Sequence, residues 1–299
     1  KIITGQHTQT MAQEELHLIE KVTGKQPALL GFELLSYSPN INYFDTDDEC
    51  MTEVTENYGT LKRAWEWAEK KGLITMCWHW FSPLYGRSKS FFSENTDFDA
   101  SKAVIDGTPE NKALLSDMDT MAGILRPFCE KGVPILWRPF HEGDGDWFWY
   151  GKGTGEQFKK LWITMFNYFA KERKLNNLIW VLCHTGHPSA DFDPGKEYYD
   201  LAGADNYGKD PVEKPMYDKV LQIHGSGRPV PYHECGTVPD PDTCFEQGVN
   251  WIWWMLWHTG HVTGYDKEEL KRIYHHSRVL TLDELPDIRK RVKARAACN

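Results

Sequence analysis

Val133-Pro134-Ile135-Leu136-Trp137 runs directly into Arg138-Pro139-Phe140-His141-Glu142-Gly143-Asp144-Gly145-Asp146-Trp147-Phe148-Trp149-Tyr150-Gly151. The first five residues are an apolar run too short for a helix, bounded by Gly132 and Pro139, which is the pattern of a fully buried strand. At its end come Arg138, His141 and Glu142, then a Gly/Asp turn, then Trp147, Phe148, Trp149 and Tyr150. Aromatic faces cover the apolar C–H faces of pyranose rings. A carboxyl among apolar rings has its pKa raised towards general-acid duty. The stretch therefore reads as a buried strand that delivers an acid to a carbohydrate site.

Similar runs recur on both sides of it. Residues 1–6, 27–35, 73–78, 177–183, 199–204, 230–233 and 249–257 carry the same strand signal. Helical spacing appears at 10–22, 52–71, 111–131, 155–173, 212–223, 267–277 and 283–296, with Gly72 and Gly132 as stops. A long loop spans 82–108. Strands alternating with helices predict a parallel sheet, and eight such units in about 280 residues predict a closed (β/α)8 barrel, an α/β fold filling residues 1–299 as one domain. No G-x-G-x-x-G follows the first strand and no phosphate-binding loop occurs, so nothing supports nucleotide binding.

Composition narrows the function classes. A net charge of −9 without a basic cluster argues against nucleic acid and anionic membranes as partners. No apolar run reaches the roughly 18 residues needed to span a bilayer. The 13 Trp among 299 residues fit sugar platforms or a Trp-rich core. The seven Cys contain no C-x-x-C pair, which disfavours a zinc ribbon or disulfide scaffold, and Cys77, Cys183 and Cys235 read as small buried hydrophobes. The His141-Glu142-x-Asp144-x-Asp146 cluster lacks both an HExxH arrangement and the terminal Glu of a calcium loop, so no metal and no cofactor is expected.

In a (β/α)8 barrel the reactive groups gather at the C-terminal ends of the strands. The third strand ends in His79-Trp80, the fourth in His141-Glu142, the sixth in Asp205-x-Tyr207, the seventh in Glu234 and the eighth in Trp257-His258. Two Glu on separate strand ends, with His, Tyr and Trp around them, fit glycoside hydrolysis by paired carboxylates. Arg138-Pro139-Phe140-His141-Glu142, followed by Gly145-x-Trp147-Phe148-Trp149-x-Gly151, resembles the acid/base signature of glycoside hydrolase family 26. Glu234 in its E-x-G context, Trp78-His79 and Asp205-x-Tyr207 follow that family's order along nearly the whole chain.

The resemblance implies a barrel with its acids on strands four and seven, acting as a retaining endo-β-1,4-mannanase on mannan, glucomannan or galactomannan. Glu142 would be the acid/base and Glu234 the nucleophile. Tyr207 would hold Glu234, with Arg138 beneath the site. His79 and His141 would meet sugar hydroxyls, Trp147 and Trp257 would be stacking platforms, and Asp205 would orient its neighbours. Where many members carry Asn near a Pro, this chain has Trp80-Phe81-Ser82-Pro83, which puts Trp80 in the expected sugar-binding floor. β-1,3-Xylanase or mixed-linkage β-glucanase activity, and a non-catalytic carbohydrate-binding barrel, stand as alternatives. A polymeric substrate implies a secreted, periplasmic or cell-surface monomer whose targeting segment has been removed.

Overall fold

The computed structural model describes residues 1–9 and 11–286. Ten strands occur among them: β1 (Ile2–Ile3), β2 (Gly5–Thr8), β3 (Leu29–Glu33), β4 (Leu73–Cys77), β5 (Ile135–Arg138), β6 (Leu178–His184), β7 (Leu201–Asn206), β8 (Val230–Cys235), β9 (Trp251–Leu256) and β10 (Val279–Leu280). β2 to β9 pair in sequence order, all parallel, and β9 returns to β2, which closes an eight-stranded barrel. This is the (β/α)8 architecture. The predicted first strand is split at Thr4, whose hydroxyl donates to Leu280 O at 2.8 Å and accepts from Ala28 N at 2.9 Å. β1 therefore pairs with β10 and β9 outside the barrel, while β2 enters its wall. The β10 strand had no counterpart in the sequence reading.

Period-two alternation sorts the residues of each strand between the barrel interior and the surrounding helices. At the N-terminal end, Leu29, Val181, Trp253 and Met255 pack together with Leu73, Leu136 and Leu201 against them. One step up, Gly31 is in register with Thr75, and a Cβ on Gly31 would come within 2.6 Å of the His7 and Met255 side chains. At the top, Glu33 pairs with Cys77 and Cys77 with Arg138. The interior thus grades from aliphatic at the bottom to ionisable at the C-terminal mouth. Irregular register at Asp205 and in β8 re-aims Asp205 and Glu234 at that mouth.

The outer faces bury the tryptophans. Trp78, Trp80, Trp137, Trp149, Trp162, Trp251 and Trp254 are all fully buried, whereas Trp147 is 39% exposed. Each buried indole removes about 200 Å² from water, roughly 5 kcal/mol of gross transfer free energy before chain entropy is charged against it. The tryptophan excess is therefore mostly core.

Helix bounds follow local chemistry. The helix predicted over 52–71 is two helices, Asp48–Asn57 and Thr60–Glu69, because Gly59 adopts φ +90 between them and donates its N–H to Tyr37 Oη at 3.2 Å. Pro109–Glu130 starts two residues earlier than expected, with Thr108 accepting from Asn111 N as its N-cap. Gly155–Phe166 opens on a Thr154/Gln157 capping box and continues as a π-helical segment, Asn167–Glu172. The helix predicted over 283–296 falls almost entirely outside the described residues, whose last turn is Leu282–Glu284.

Candidate active site

Arg138, the last residue of β5, lies 1% exposed at the centre of the mouth. Its guanidinium donates from Nη2 to Glu234 Oε1 at 2.5 Å and from Nη1 to Asp205 Oδ2 at 3.2 Å. Tyr207 Oη donates to the other Glu234 oxygen, Oε2, at 2.5 Å. Glu234 is thus an acceptor on both oxygens, the geometry of a carboxylate. Burial and then the neighbouring Glu234 charge push Asp205 well above the usual carboxylate range, against the pull of Arg138. Arg138 meets both carboxyls, and its shorter bond goes to Glu234.

Glu142 sits in the turn after β5 with φ +52, and Phe140 with φ +49, left-handed conformations that cost a non-glycine residue about 1 kcal/mol or more each. The turn can afford no extra bulk: a Cβ on Gly151 would lie 2.2 Å from Gly145 O. Glu142 N donates to Cys183 O at 2.9 Å, and Trp147 Nε1 donates to Glu142 Oε2 at 3.0 Å. Oxygens of Glu142, Asp205 and Glu234 all fall within 4.8 Å of one another. Burial, then the Glu234 charge, pushes the Glu142 carboxyl up to about 7. Those three acids, and a second cluster of His7, Glu33 and Cys77, are the groups among the described residues close enough to share a metal ion. In the first of them Arg138 already supplies positive charge.

Next to Glu142 runs a chain of buried rings. Glu33 Oε2 lies 2.7 Å from His79 Nδ1, His79 Nε2 lies 3.2 Å from His141 Nε2, and Tyr150 Oη lies 3.3 Å from His141 Nδ1 and 3.1 Å from His141 O. Burial alone would lower His79, but the Glu33 carboxylate outweighs it and raises the ring above its ordinary value. Burial, followed by the His79 charge, drives His141 well below its ordinary value. The contact with Glu33 places a proton on His79 Nδ1, and His141 is the ring of the pair that burial and its neighbours disfavour as a cation.

Around this centre the sequence candidates separate. Trp147 and Tyr207 line a cavity of about 610 Å³ with Glu142, Asp205 and Asn206, over β5, β6 and β7. His79 and Trp257 line a smaller one of about 210 Å³ with Gln9, Asn57 and Lys89, over the opposite strands. Two expectations, those for Trp80 and His141, need correcting. Trp80 is 0% exposed, stacked 4.1 Å from Trp78, with its indole N–H donated to Asp117 on the helix Pro109–Glu130. Strand alternation continues past the end of β4, so His79 faces the mouth and Trp80 faces the helices. His141 is 1% exposed with both ring nitrogens occupied, and Arg138 is buried beneath the carboxyls, so both support the site from below the cavities.

Three functional features escaped the sequence reading. Glu33 ends β3 and fixes His79, a signal present in Gly31-Phe32-Glu33 at the end of the second barrel strand. Cys77 is more than a small hydrophobe: its Sγ donates to Glu33 Oε2 at 2.8 Å and lies 3.4 Å from His7 Nε2. Asp144 and His184, 2.7 Å apart, tie the Glu142 turn to the end of β6. The six described cysteines are free thiols.

With this geometry established, comparison with known proteins is informative. Residues 1–284 match the model of glycosyl hydrolase family 26. A mannan endo-1,4-beta-mannosidase of Thermothelomyces thermophilus is 30% identical over 298 residues, covering 95% of this chain and 58% of that protein. Mannan endo-1,4-beta-mannosidase A of Piromyces is 28% identical over 270 residues, 89% of this chain and 43% of that protein. The chain thus spans about half the length of these curated relatives. Among solved structures, a beta-mannanase from a symbiotic protist of the termite Reticulitermes speratus, complexed with gluco-manno-oligosaccharide, superposes with TM-score 0.83 at 33% identity, covering 96% of this chain and 90% of that one. The Podospora anserina GH26-CBM35 beta-(1,4)-mannanase gives TM-score 0.84 at 28% identity, covering 95% and 63%. A match along nearly its whole length, on a barrel of the same architecture, places this chain in glycosyl hydrolase family 26.

Proposed function

We propose that the chain is a retaining endo-β-1,4-mannanase, with Glu142 as acid/base and Glu234 as nucleophile. The observation that carries the reading is one pair of carboxyls in unlike surroundings at short range. Glu142 is pushed up to about 7, while Glu234 accepts from Arg138 and Tyr207, and their oxygens lie within 4.8 Å. One oxygen of each group within 4.8 Å fits the roughly 5–5.5 Å carboxyl separation of retaining enzymes better than the roughly 6.5–9.5 Å in which inverting enzymes hold a water between the acids.

In the first step Glu234 attacks the anomeric carbon as Glu142 gives its proton to the departing glycosidic oxygen. In the second, Glu142, now ionised, takes a proton from water, and that water displaces Glu234 with retention of configuration. Tyr207 and Arg138 hold the nucleophile in line, and Trp147 faces the cavity beside Glu142 as a stacking surface for the leaving sugar. Mannan as the polymer is supported by family membership and by relatives that are mannan endo-1,4-beta-mannosidases. A polymeric substrate favours export. No helix of the described residues is long and apolar enough to cross a membrane.

The test is product release over time from linear mannan, galactomannan, β-1,3-xylan and lichenan. Mannan chains should shorten internally, with little monosaccharide at early times. Release from xylan or lichenan alone would overturn the substrate assignment, and wild-type turnover in folded Glu142→Ala or Glu234→Ala would overturn the residue roles.

A further inference from the structure

Glu142 stands between two buried chains of the same make. On one side His141 belongs to Glu33–His79–His141–Tyr150, described above. On the other side, Asp144 Oδ2 lies 2.7 Å from His184 Nδ1, His184 Nε2 lies 2.8 Å from His224 Nε2, and Tyr199 Oη lies 2.8 Å from His224 Nδ1. The Asp144 and His184 side chains are 0% and 1% exposed. Asp144 also accepts from Thr185 N at 2.7 Å and Ser189 N at 3.0 Å, so one carboxylate gathers three donors from the end of β6 and the segment that follows it. His184 ends β6, His224 ends the helix Lys214–His224, and Tyr199 precedes β7. The chain thus ties the Glu142 turn to the next two barrel units.

Resting on the assignment of Glu142 as acid/base, we propose that Asp144, His184 and His224 are positioning residues that hold the Glu142 turn in its left-handed conformation, with Tyr199 as the far anchor. The energetic need is on the page. Phe140 and Glu142 both have positive φ, and the only backbone tie of Glu142 N is the bond to Cys183 O. Asp144 lies two residues on, and its partners are backbone and ring donors of neighbouring elements rather than solvent. A hydrogen-bonded buried carboxylate of this kind is kept ionised by His184 and the two backbone N–H groups against the burial that opposes it. Burial, then the neighbouring His184, lowers His224 to about 4 and keeps it uncharged at neutral pH.

Releasing the clamp lets the turn relax and water reach Glu142. The groups facing Glu142 are Glu234, Asp205, Arg138, His79, Tyr150, Tyr207 and Trp147, and none of them is altered directly by a change at Asp144. Hydration removes the burial that raises Glu142, so its titration moves down. A displacement of the acid by about 1 Å lowers kcat by roughly a hundredfold.

The experiment compares the wild type with Asp144→Asn, His184→Gln and Tyr199→Phe. Titration of Glu142 is followed by 13C NMR of carboxyl-labelled glutamate and assigned through the signal lost in Glu142→Gln. This needs no substrate, so it tests the clamp even if the polymer proves not to be mannan. The expected result is a midpoint below that of the wild type in all three, smallest in Tyr199→Phe, with kcat on mannan reduced and KM little changed. The double variant Asp144→Asn/His184→Gln should lose no more than the worse single one. An unchanged Glu142 midpoint in folded Asp144→Asn or, should that variant not fold, in Tyr199→Phe and His184→Gln, overturns the proposal.

Discussion

Replacing Trp147 by Phe removes one hydrogen bond from the acid and keeps a ring in its place. Trp147 Nε1 donates to Glu142 Oε2 at 3.0 Å, and this bond favours the ionised carboxyl. A hydrogen bond to a charged group contributes about 1.5–3 kcal/mol when buried; with Trp147 39% exposed, solvent competition reduces that to about 1 kcal/mol. At 1.36 kcal/mol per pH unit, the loss moves the Glu142 midpoint upward by about 0.7 pH. With Glu142 as the proposed acid, the reaction needs it protonated, so the alkaline limb of kcat/KM, expected near 7 in the wild type, should move to higher pH in Trp147→Phe. The assay is a pH profile of initial rates on a soluble manno-oligosaccharide, with KM recorded separately because the ring also lines the cavity beside Glu142. A limb that stays in place or moves to lower pH refutes the idea that this contact tunes the acid.

Other outcomes follow from the same geometry. Folding raises Glu142 from an ordinary value near 4.5 to about 7, so the folded state binds the extra proton and stability falls as pH rises through that window, by about 3 kcal/mol in total. Glu142→Gln should therefore raise the melting temperature at pH 8 and leave it nearly unchanged at pH 4; equal effects at both would count against it. Trp80→Phe should lower the melting temperature by leaving Asp117 one donor short while KM is kept, since Trp80 lies in the core. Gly151→Ala should cost several kcal/mol in chemical denaturation, because the clash is with the Gly145 carbonyl and no side chain can swing aside.

The barrel was legible because each strand is a short apolar run closed by Gly or Pro, as at 132–139, and because the spacing between runs leaves room for one helical layer. What the sequence hid has local causes. Gly59 reads as a tolerated interior glycine in a helical pattern, and only its φ of +90, with Tyr37 taking its N–H, makes it a break. β10 is two residues long, below the length at which periodicity carries information. Glu142, Glu234 and Tyr207 could be picked out by residue type at strand ends, and they meet at the mouth. Trp80 was misplaced because stacking platforms and core indoles share one residue type, and only the alternation of side chains past Cys77 separates them. The Glu33–His79 and Asp144–His184 pairings went unread because the partners lie 46 and 40 residues apart in sequence, contacts that depend on the closed barrel.

The most direct measurement of the central claim is to trap the intermediate. A 2-deoxy-2-fluoro-β-mannosyl substrate with a dinitrophenolate leaving group needs little acid assistance on entry and is slow to hydrolyse. Incubated with Glu142→Ala, it should add one sugar per chain by intact mass, and peptide mapping should place that sugar on Glu234. Labelling of Asp205 or another side chain, or turnover with inverted product and no adduct, would contradict the account.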